Sequence, residues 1–286
     1  MPELPEVETI RRGLEPQVVG RAVQRVEVRH AHVTAGMAPG PFARALPGRR
    51  VLRLWRRGKY LVFDLSAREG ADPLHLVCHL RMTGRLCYLA PRRPWREAPA
   101  HTHALIRLEG GGRLVFYDVR KFGRLQLVPP AEVAAALPAG RDPVLEDISG
   151  PFLLEVLGGR QAPLKALLLR QDLVCGLGNI YADEALHRAG LHPAAPGRGL
   201  HPAEAERLAA GIQSVLREAL AFSGTTLMDY RTGEGERGAF AQYLRVYGRA
   251  GRPCRQCGAT IGTIRLSGRT TAFCPGCQPL AGQIGV

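Results

Sequence analysis

RVLRLWRRGKYLVFDLS, residues 50–66, is strand-like on both sides of Gly58 and reads as two strands meeting at that glycine. Strand signals continue outward from it. Upstream, Val23, Val26 and Val28 open the set. Downstream, LHLVCHLRM (74–82) places Leu74, Leu76, Cys78, Leu80 and Met82 on one face. HALIRLEGGGRLVFYDV (103–119) reads as a hairpin around Gly110, Gly111 and Gly112, and RLQLV (124–128) closes the run. Short alternating strands without intervening helices imply an antiparallel sandwich or barrel. One helix precedes them, because Val7, Ile10, Leu14 and Val18 share a helical face over residues 3–18.

After Pro129 and Pro130 the rhythm changes to a helical period, over 131–137, 152–157, 162–170, 180–189 and Pro202 to about Phe222. A boundary is expected near 130–150, where Pro138, Gly140, Pro143 and Gly150 cluster, and no internal repeat is visible. The fold class expected is α+β. It has an N-terminal β-sandwich domain with a flanking helix (1–135), a helical domain (150–235) and a cysteine-bearing hairpin (245–286) too short to fold without help.

Hydrophobic residues make up 45% of the 286-residue chain, enough for a sizeable core. Lys and Arg number 39 against 25 Asp and Glu, a net charge of +14 that favours a polyanionic partner, most simply nucleic acid. A ribosomal or anionic-membrane protein shares that balance. No apolar run reaches the ~18 residues of a membrane span and no signal peptide is visible, so a cytoplasmic protein is expected.

Four of the seven cysteines, Cys254, Cys257, Cys274 and Cys277, form C-x2-C-x16-C-x2-C. Two close pairs of thiolates suit one tetrahedral zinc ion with no open position, hence a structural site. Iron–sulfur or redox chemistry is the other reading. The intervening TIGTIRLSGRTTAF reads as a hairpin turning at Ser267-Gly268, with Arg265 and Arg269 either solvated or touching phosphates.

The opening MPELPEVETIRRGLEP puts Glu3 and Glu6 within a helical turn of Pro2. If Met1 is removed, Pro2 presents a free secondary amine, which titrates near pH ~8 and is partly unprotonated at neutrality. Attack on an aldehyde-like carbon would give a charged iminium, a strong electron sink. The same residues also read as ordinary helix-start punctuation. Other motifs keep two readings as well. Lys59 in RRGKYL suits a solvated strand end. Met82 in HLRMTGR and Phe122 in DVRKFGR suit a core, though Arg120, Lys121 and Arg124 surround Phe122. GLGNIYADEALHRAG (176–190) sets glycines and Asn179 before a helix, a weak phosphate-seat signal. His101 and His103 alternate onto one face without a third metal ligand nearby.

Taken together, PELPEVE, RRGKYL, HLRMTG, DVRKFGR, GLGNIYADE, RVYG (245–248) and the four-cysteine finger resemble the formamidopyrimidine-DNA glycosylase family along the whole chain. The resemblance implies a helix–two-turn–helix in the helical domain and a bifunctional DNA glycosylase/AP lyase for 8-oxoguanine and formamidopyrimidines. It implies Pro2 as the nucleophile and Glu3 as its acid–base partner. Glu6 would order a water or the N-terminus, or serve the helix dipole. Lys59 would hold a phosphate beside the lesion and assist strand cleavage, and Arg269 would serve the second elimination. Met82, Arg120 and Phe122 would fill the stack around an extruded base, Arg120 contacting the orphaned cytosine. His101, Arg160, Lys165 and Asn179 would contact the DNA backbone or lesion surroundings. Residues 223–240 read as a loop, and the matching family loop covers the flipped purine. The partner implied is double-stranded DNA with damaged bases or abasic sites, bound by a monomer in a bacterial cytoplasm, at the nucleoid. Three departures stand out: Arg81 where glycine is common, Val119 for a usual proline, and Arg170 for a common aspartate. Two rivals remain: an endonuclease VIII-like enzyme for oxidised pyrimidines, and a non-catalytic zinc-finger DNA-binding protein, which leaves Pro2 and Glu3 unused.

Overall fold

The computed structural model describes residues 2–91, 98–225 and 239–280. By contact density the chain forms two compact units. One is the chain up to Leu137 with Phe222–Ala239; the other is Pro138–Ala221 with Phe240–Val286.

The first unit begins with helix α1 (Leu4–Val18). Leu4, Val7, Ile10, Leu14 and Val18 are all buried, the face their spacing demands. Pro5 occupies the first turn, where its missing N–H costs nothing. Then come strand β1 (Val23–Val28), a short helix α2 (Pro39–Ala45), and β2 (Val51–Arg57), β3 (Tyr60–Leu65) and β4 (Leu74–His79). They are followed by β5 (Gly84–Leu89), β6 (Thr102–Leu108), β7 (Arg113–Asp118), β8 (Arg124–Val128) and a one-turn helix α3 (Val133–Ala136). Two four-stranded antiparallel sheets result, ordered β1-β6-β7-β5 and β2-β3-β4-β8. Their inner faces share one core, in which Leu54, Phe63, Leu76 and Leu125 meet Leu86, Ile106, Leu114 and Phe116 under α1 and α2. This is a β-sandwich with its flanking helix.

Two elements were not foreseen. Strand β5 follows its turn directly and pairs along β7 from Gly84↔Asp118 to Leu89↔Arg113. Helix α2 grows in PGPFARA, whose prolines and glycine read as loop, because Phe42 is buried completely beneath it.

The second unit holds α4 (Gly150–Leu157), α5 (Leu164–Leu168), α6 (Asn179–Ala189) and α7 (Pro202–Ala221), followed by the hairpin β9 (Gly262–Leu266) and β10 (Arg269–Phe273). Ser149 caps α4 by accepting from Phe152 N. Gly190 closes α6 at φ 69°, a left-handed conformation that glycine adopts freely. Tyr181, Leu186, Leu208, Ile212 and Leu216 lie in the core that α6 and α7 share. None of the described helices is long and apolar enough to cross a membrane.

An ion pair joins α1 to the end of β2. Arg56 Nε lies 3.2 Å from Glu8 Oε2, and the two side chains are 1% and 9% exposed. Burial raises the Glu8 carboxyl, but Arg11, Arg12 and Arg56 outweigh it and hold the group below its usual value. We expect Glu8→Ala to lower stability in urea unfolding by about 3 kcal/mol, because Arg56 loses its buried partner. A depressed carboxyl stabilises fully above its unfolded pKa and less as pH falls through the folded one. The Tm gap between wild type and Glu8→Gln should therefore shrink below pH ~4. A gap that persists unchanged into acid contradicts this assignment.

Candidate active site and nucleic-acid interface

Pro2, Glu3 and Glu6 are all buried at the start of α1. The Glu3 backbone N–H donates to Glu6 Oε2 at 2.8 Å, and the Glu3 carboxylate accepts from the Glu6 backbone, closing a capping box. Glu6 Oε1 accepts from both Thr225 N (2.8 Å) and Thr225 Oγ1 (3.1 Å). A Cβ on Gly224, at φ 80°, would lie 2.6 Å from the same oxygen. Glu6 thus fixes the residues before α1 and ties them to 224–225, where the loop expected over 223–240 begins. Residues 226–238 of that loop lie outside the described residues.

Lys59 is buried to 8% exposure in the two-residue turn between β2 and β3. Arg56, besides pairing with Glu8, donates from Nη1 to Gly58 O at 3.1 Å. The turn carrying Lys59 is therefore braced against the helix that carries Pro2 and Glu3.

Met82, Arg120 and Phe122 come together from two loops. Arg120 Nη1 lies 3.4 Å from Met82 Sδ, and its guanidinium stacks 4.7 Å from the Phe122 ring centroid. Met82 and Phe122 are each 43% exposed, so the cluster stands on the surface and is no part of the core. Arg81, beside it, has φ 56°. That explains why glycine suits the position, since a side chain there costs roughly 1–2 kcal/mol. Here the strained residue is held by its N–H to His79 Nδ1, at 2.9 Å. Burial first, then Arg81 and Lys59, push His79 down to about 3, so the ring stays neutral and accepting. Gly84 and Gly123 close the two loops. A Cβ on the first would run into the Leu80 carbonyl, and on the second into the Phe116 ring. Val119, where a proline is usual, is 56% exposed and leaves this arrangement intact. His101 is exposed at φ 62°, while His103 is buried with Nε2 on Asp118 O at 2.6 Å, so the two histidines do not form a metal site.

In the second unit Asn179 opens α6, and its Nδ2 donates to Thr270 O at 3.1 Å, next to exposed Arg269. Arg160 is exposed after α4, braced on Val156 O at 2.8 Å. Arg170 pairs with Asp172, and Gln171 holds the glycine turn instead, accepting from Gly176 N at 2.9 Å. Lys165 differs from the surface contact expected of it. It is 1% exposed, and its ammonium meets Asp183 Oδ1 (2.7 Å), Thr271 Oγ1 (2.8 Å) and Thr270 O (3.3 Å). Three donors face three acceptors, which leaves none directed at a phosphate. Burial pushes the Asp183 carboxyl up to about 7 against the pull of Lys165. Asp183 Oδ2 also accepts from Ala272 N at 3.0 Å, so this pair staples α5 and α6 to β10. Glu184, fully buried, accepts from the backbone of Arg245, Val246 and Tyr247 at 2.9–3.0 Å, which places the RVYG stretch. Neither acid was foreseen. Two adjacent acids on a helix read as surface, and only distant partners, such as Val246, 62 residues from Glu184, reveal otherwise.

The four finger sulfurs lie within 4.8 Å of one another. Cys254–Cys277 and Cys257–Cys274 are 3.8 and 3.4 Å apart. Four ligands at ~2.3 Å around a tetrahedral zinc sit roughly 3.8 Å apart, so the set fits. Burial and the neighbouring sulfurs push the Cys277 thiol up, a crowding that a dication relieves. His187 Nε2 lies 3.6 Å from Cys254 Sγ, and Gln278 accepts from Cys274 N at 2.9 Å while donating to Leu191 O at 2.8 Å. These contacts orient the finger on α6.

Residues 1–125 match the family model of the formamidopyrimidine-DNA glycosylase N-terminal domain, 139–231 that of the family's H2TH domain, and 251–280 a zinc finger found in FPG and IleRS. A formamidopyrimidine-DNA glycosylase of Heliobacterium modesticaldum is 45% identical over 282 residues, covering 97% of this chain and 100% of the relative. One from Moorella thermoacetica is 47% identical over 269 residues, covering 93% and 95%. A solved complex of Lactococcus lactis Fpg with abasic-site DNA is similar at TM-score 0.87 and 34% identity, covering 97% and 100%. A structure of MutM with DNA containing carbocyclic 8-oxo-G also gives TM-score 0.87 at 34% identity, covering 98% and 100%.

The finger holds one structural zinc ion. Metal analysis should give about one equivalent, and Cys274→Ser should lose both the metal and DNA binding. A metal-free preparation that binds and cleaves normally would refute the site's role.

Proposed function

Because the chain belongs to the formamidopyrimidine-DNA glycosylase family, we propose that its chemistry starts at Pro2, with Glu3 beside it as acid–base partner. The protein is a DNA glycosylase that removes oxidised purines from duplex DNA in base excision repair, and it carries the family's AP lyase activity. The observation that carries the residue assignment is the capped start of α1. Glu6 and the capping box hold Glu3 and the residue before it in one buried position.

The steps are those expected of the family, placed on these residues. With Met1 removed, the Pro2 nitrogen attacks C1′ and the damaged base leaves; Glu3 then protonates the sugar ring oxygen as the C1′–O4′ bond opens. The secondary amine forms an iminium, which acidifies the C2′ hydrogen. Loss of that proton expels the 3′ phosphate by β-elimination, and a second elimination releases the 5′ phosphate. Lys59 holds the phosphate beside the lesion and Arg269 serves the second elimination. Asn179, Arg160 and His101 bind backbone phosphates. Lys165 acts indirectly, holding Thr270 and hence the strand that carries Arg269. Met82, Arg120 and Phe122 fill the stack left by the extruded base, and Arg120 reads the orphaned cytosine. The protein works as a monomer in the bacterial cytoplasm, at the nucleoid.

Borohydride should cross-link the active protein to an 8-oxoguanine duplex, and intact mass should show loss of Met1. A blocked N-terminus that leaves activity whole defeats the mechanism. Base extrusion costs a few kcal/mol, so Arg120→Ala should slow excision opposite cytosine by roughly one to two decades. Cleavage of a pre-formed abasic site should change much less. Equal losses in single-turnover kinetics on the two substrates would remove the wedge assignment.

A further inference from the structure

Asp118, at the end of β7, is completely buried, and both of its carboxylate oxygens face the backbone of the wedge loops. Oδ2 accepts from Phe122 N and Gly123 N, each at 2.7 Å. Oδ1 accepts from Arg120 N at 3.1 Å and from the Thr83 hydroxyl. The Asp118 backbone N–H donates to His101 O at 3.1 Å, and its carbonyl accepts from His103 Nε2 at 2.6 Å and Lys121 N at 3.3 Å. Among the described residues no cation pairs with the carboxylate, so its charge is held by amide and hydroxyl donors alone. One residue thus fastens the loop of Met82, through Thr83, to the loop of Arg120 and Phe122, and both to the turn of His101. All four of those side chains are exposed. Their order therefore comes from beneath, because surface packing supplies little.

We propose that Asp118 is a positioning residue for base extrusion and for reading the opposite base. It touches neither DNA nor the reacting atoms. Its carboxylate pre-sets Met82, Arg120 and Phe122 as one rigid cluster, so the loops need not be ordered at the moment the base leaves the stack. The inference rests on the wedge reading above. It deepens that reading by naming what aims the arginine. Thr83 is the discriminating contact, since its hydroxyl links the Met82 loop to the Asp118 carboxylate.

The test is single-turnover kinetics with Thr83→Val, Thr83→Ser, Asp118→Asn and, as reference, Arg120→Ala. Each is run on 8-oxoguanine opposite cytosine, on 8-oxoguanine opposite adenine, and on a pre-formed abasic site. Asp118→Asn turns an amide donor onto backbone donors; Thr83→Val removes the bridge while keeping shape. Both should slow excision opposite cytosine by about tenfold, the worth of one buried charged hydrogen bond, and narrow the cytosine-to-adenine ratio. Abasic cleavage should stay within about twofold, and Thr83→Ser, which keeps the hydroxyl, should restore the wild-type ratio. A merely structural role would lower all three rates together and leave the ratio alone. If Arg120→Ala is selective but Thr83→Val leaves the ratio unchanged, this inference is overturned and the wedge reading stands. If Arg120→Ala is itself unselective, both fall. Should Asp118→Asn fail to fold, Thr83→Val and Thr83→Ser decide the matter alone.

Discussion

Arg56 and Glu8 are a buried ion pair, and a buried charge that loses its partner costs several kcal/mol. That constraint fixes the β2–β3 turn against α1, and with it the two pieces of chain that carry Lys59 and Pro2. Exposed turns that carry several cations need this kind of support. Their cations repel one another, and exposed loops bury too little apolar area to order themselves.

The same solution recurs with other acids. Glu6 holds the start of α1 and residues 224–225, Asp118 the wedge loops, Asp183 the strand β10, and Glu184 the stretch before the finger. Each is almost fully buried and accepts backbone N–H groups. A carboxylate is suited to this, since each oxygen takes two donors and a charged acceptor makes the stronger bond.

Zinc meets a related need in the second unit. The hairpin β9–β10 exposes most of its side chains and has a core of only a few residues around Val246, Ile261 and Ala272. Four thiolates on one metal replace the missing core, while Lys165, Asp183 and Gln278 dock the hairpin onto α6 and its flanks. Asn179 and Lys165 both donate to Thr270 O, so the helix start and the strand bearing Arg269 are registered on one carbonyl.

Local periodicity carried much of this protein. The buried face of α1, most strands of the sandwich, the helices after residue 138 and the metal spacing follow from repeats of two, of 3.6 and of C-x2-C, which a chain shows without its fold. The motifs from PELPEVE to the finger singled out the candidate residues. Only the tertiary structure decided what holds them. Lys165 reads as a surface cation, yet its partners stand 18 and 106 residues away and draw it inside. Asp118 lies at the end of the 103–119 hairpin segment, and only the structure shows Thr83, 35 residues earlier, donating to its carboxylate. Arg81 stands out in the sequence where glycine is common, and its φ of 56° supplies the reason. Burial and hydrogen-bond partnership depend on residues distant in sequence, and no local pattern encodes which distant donor a buried acid will meet.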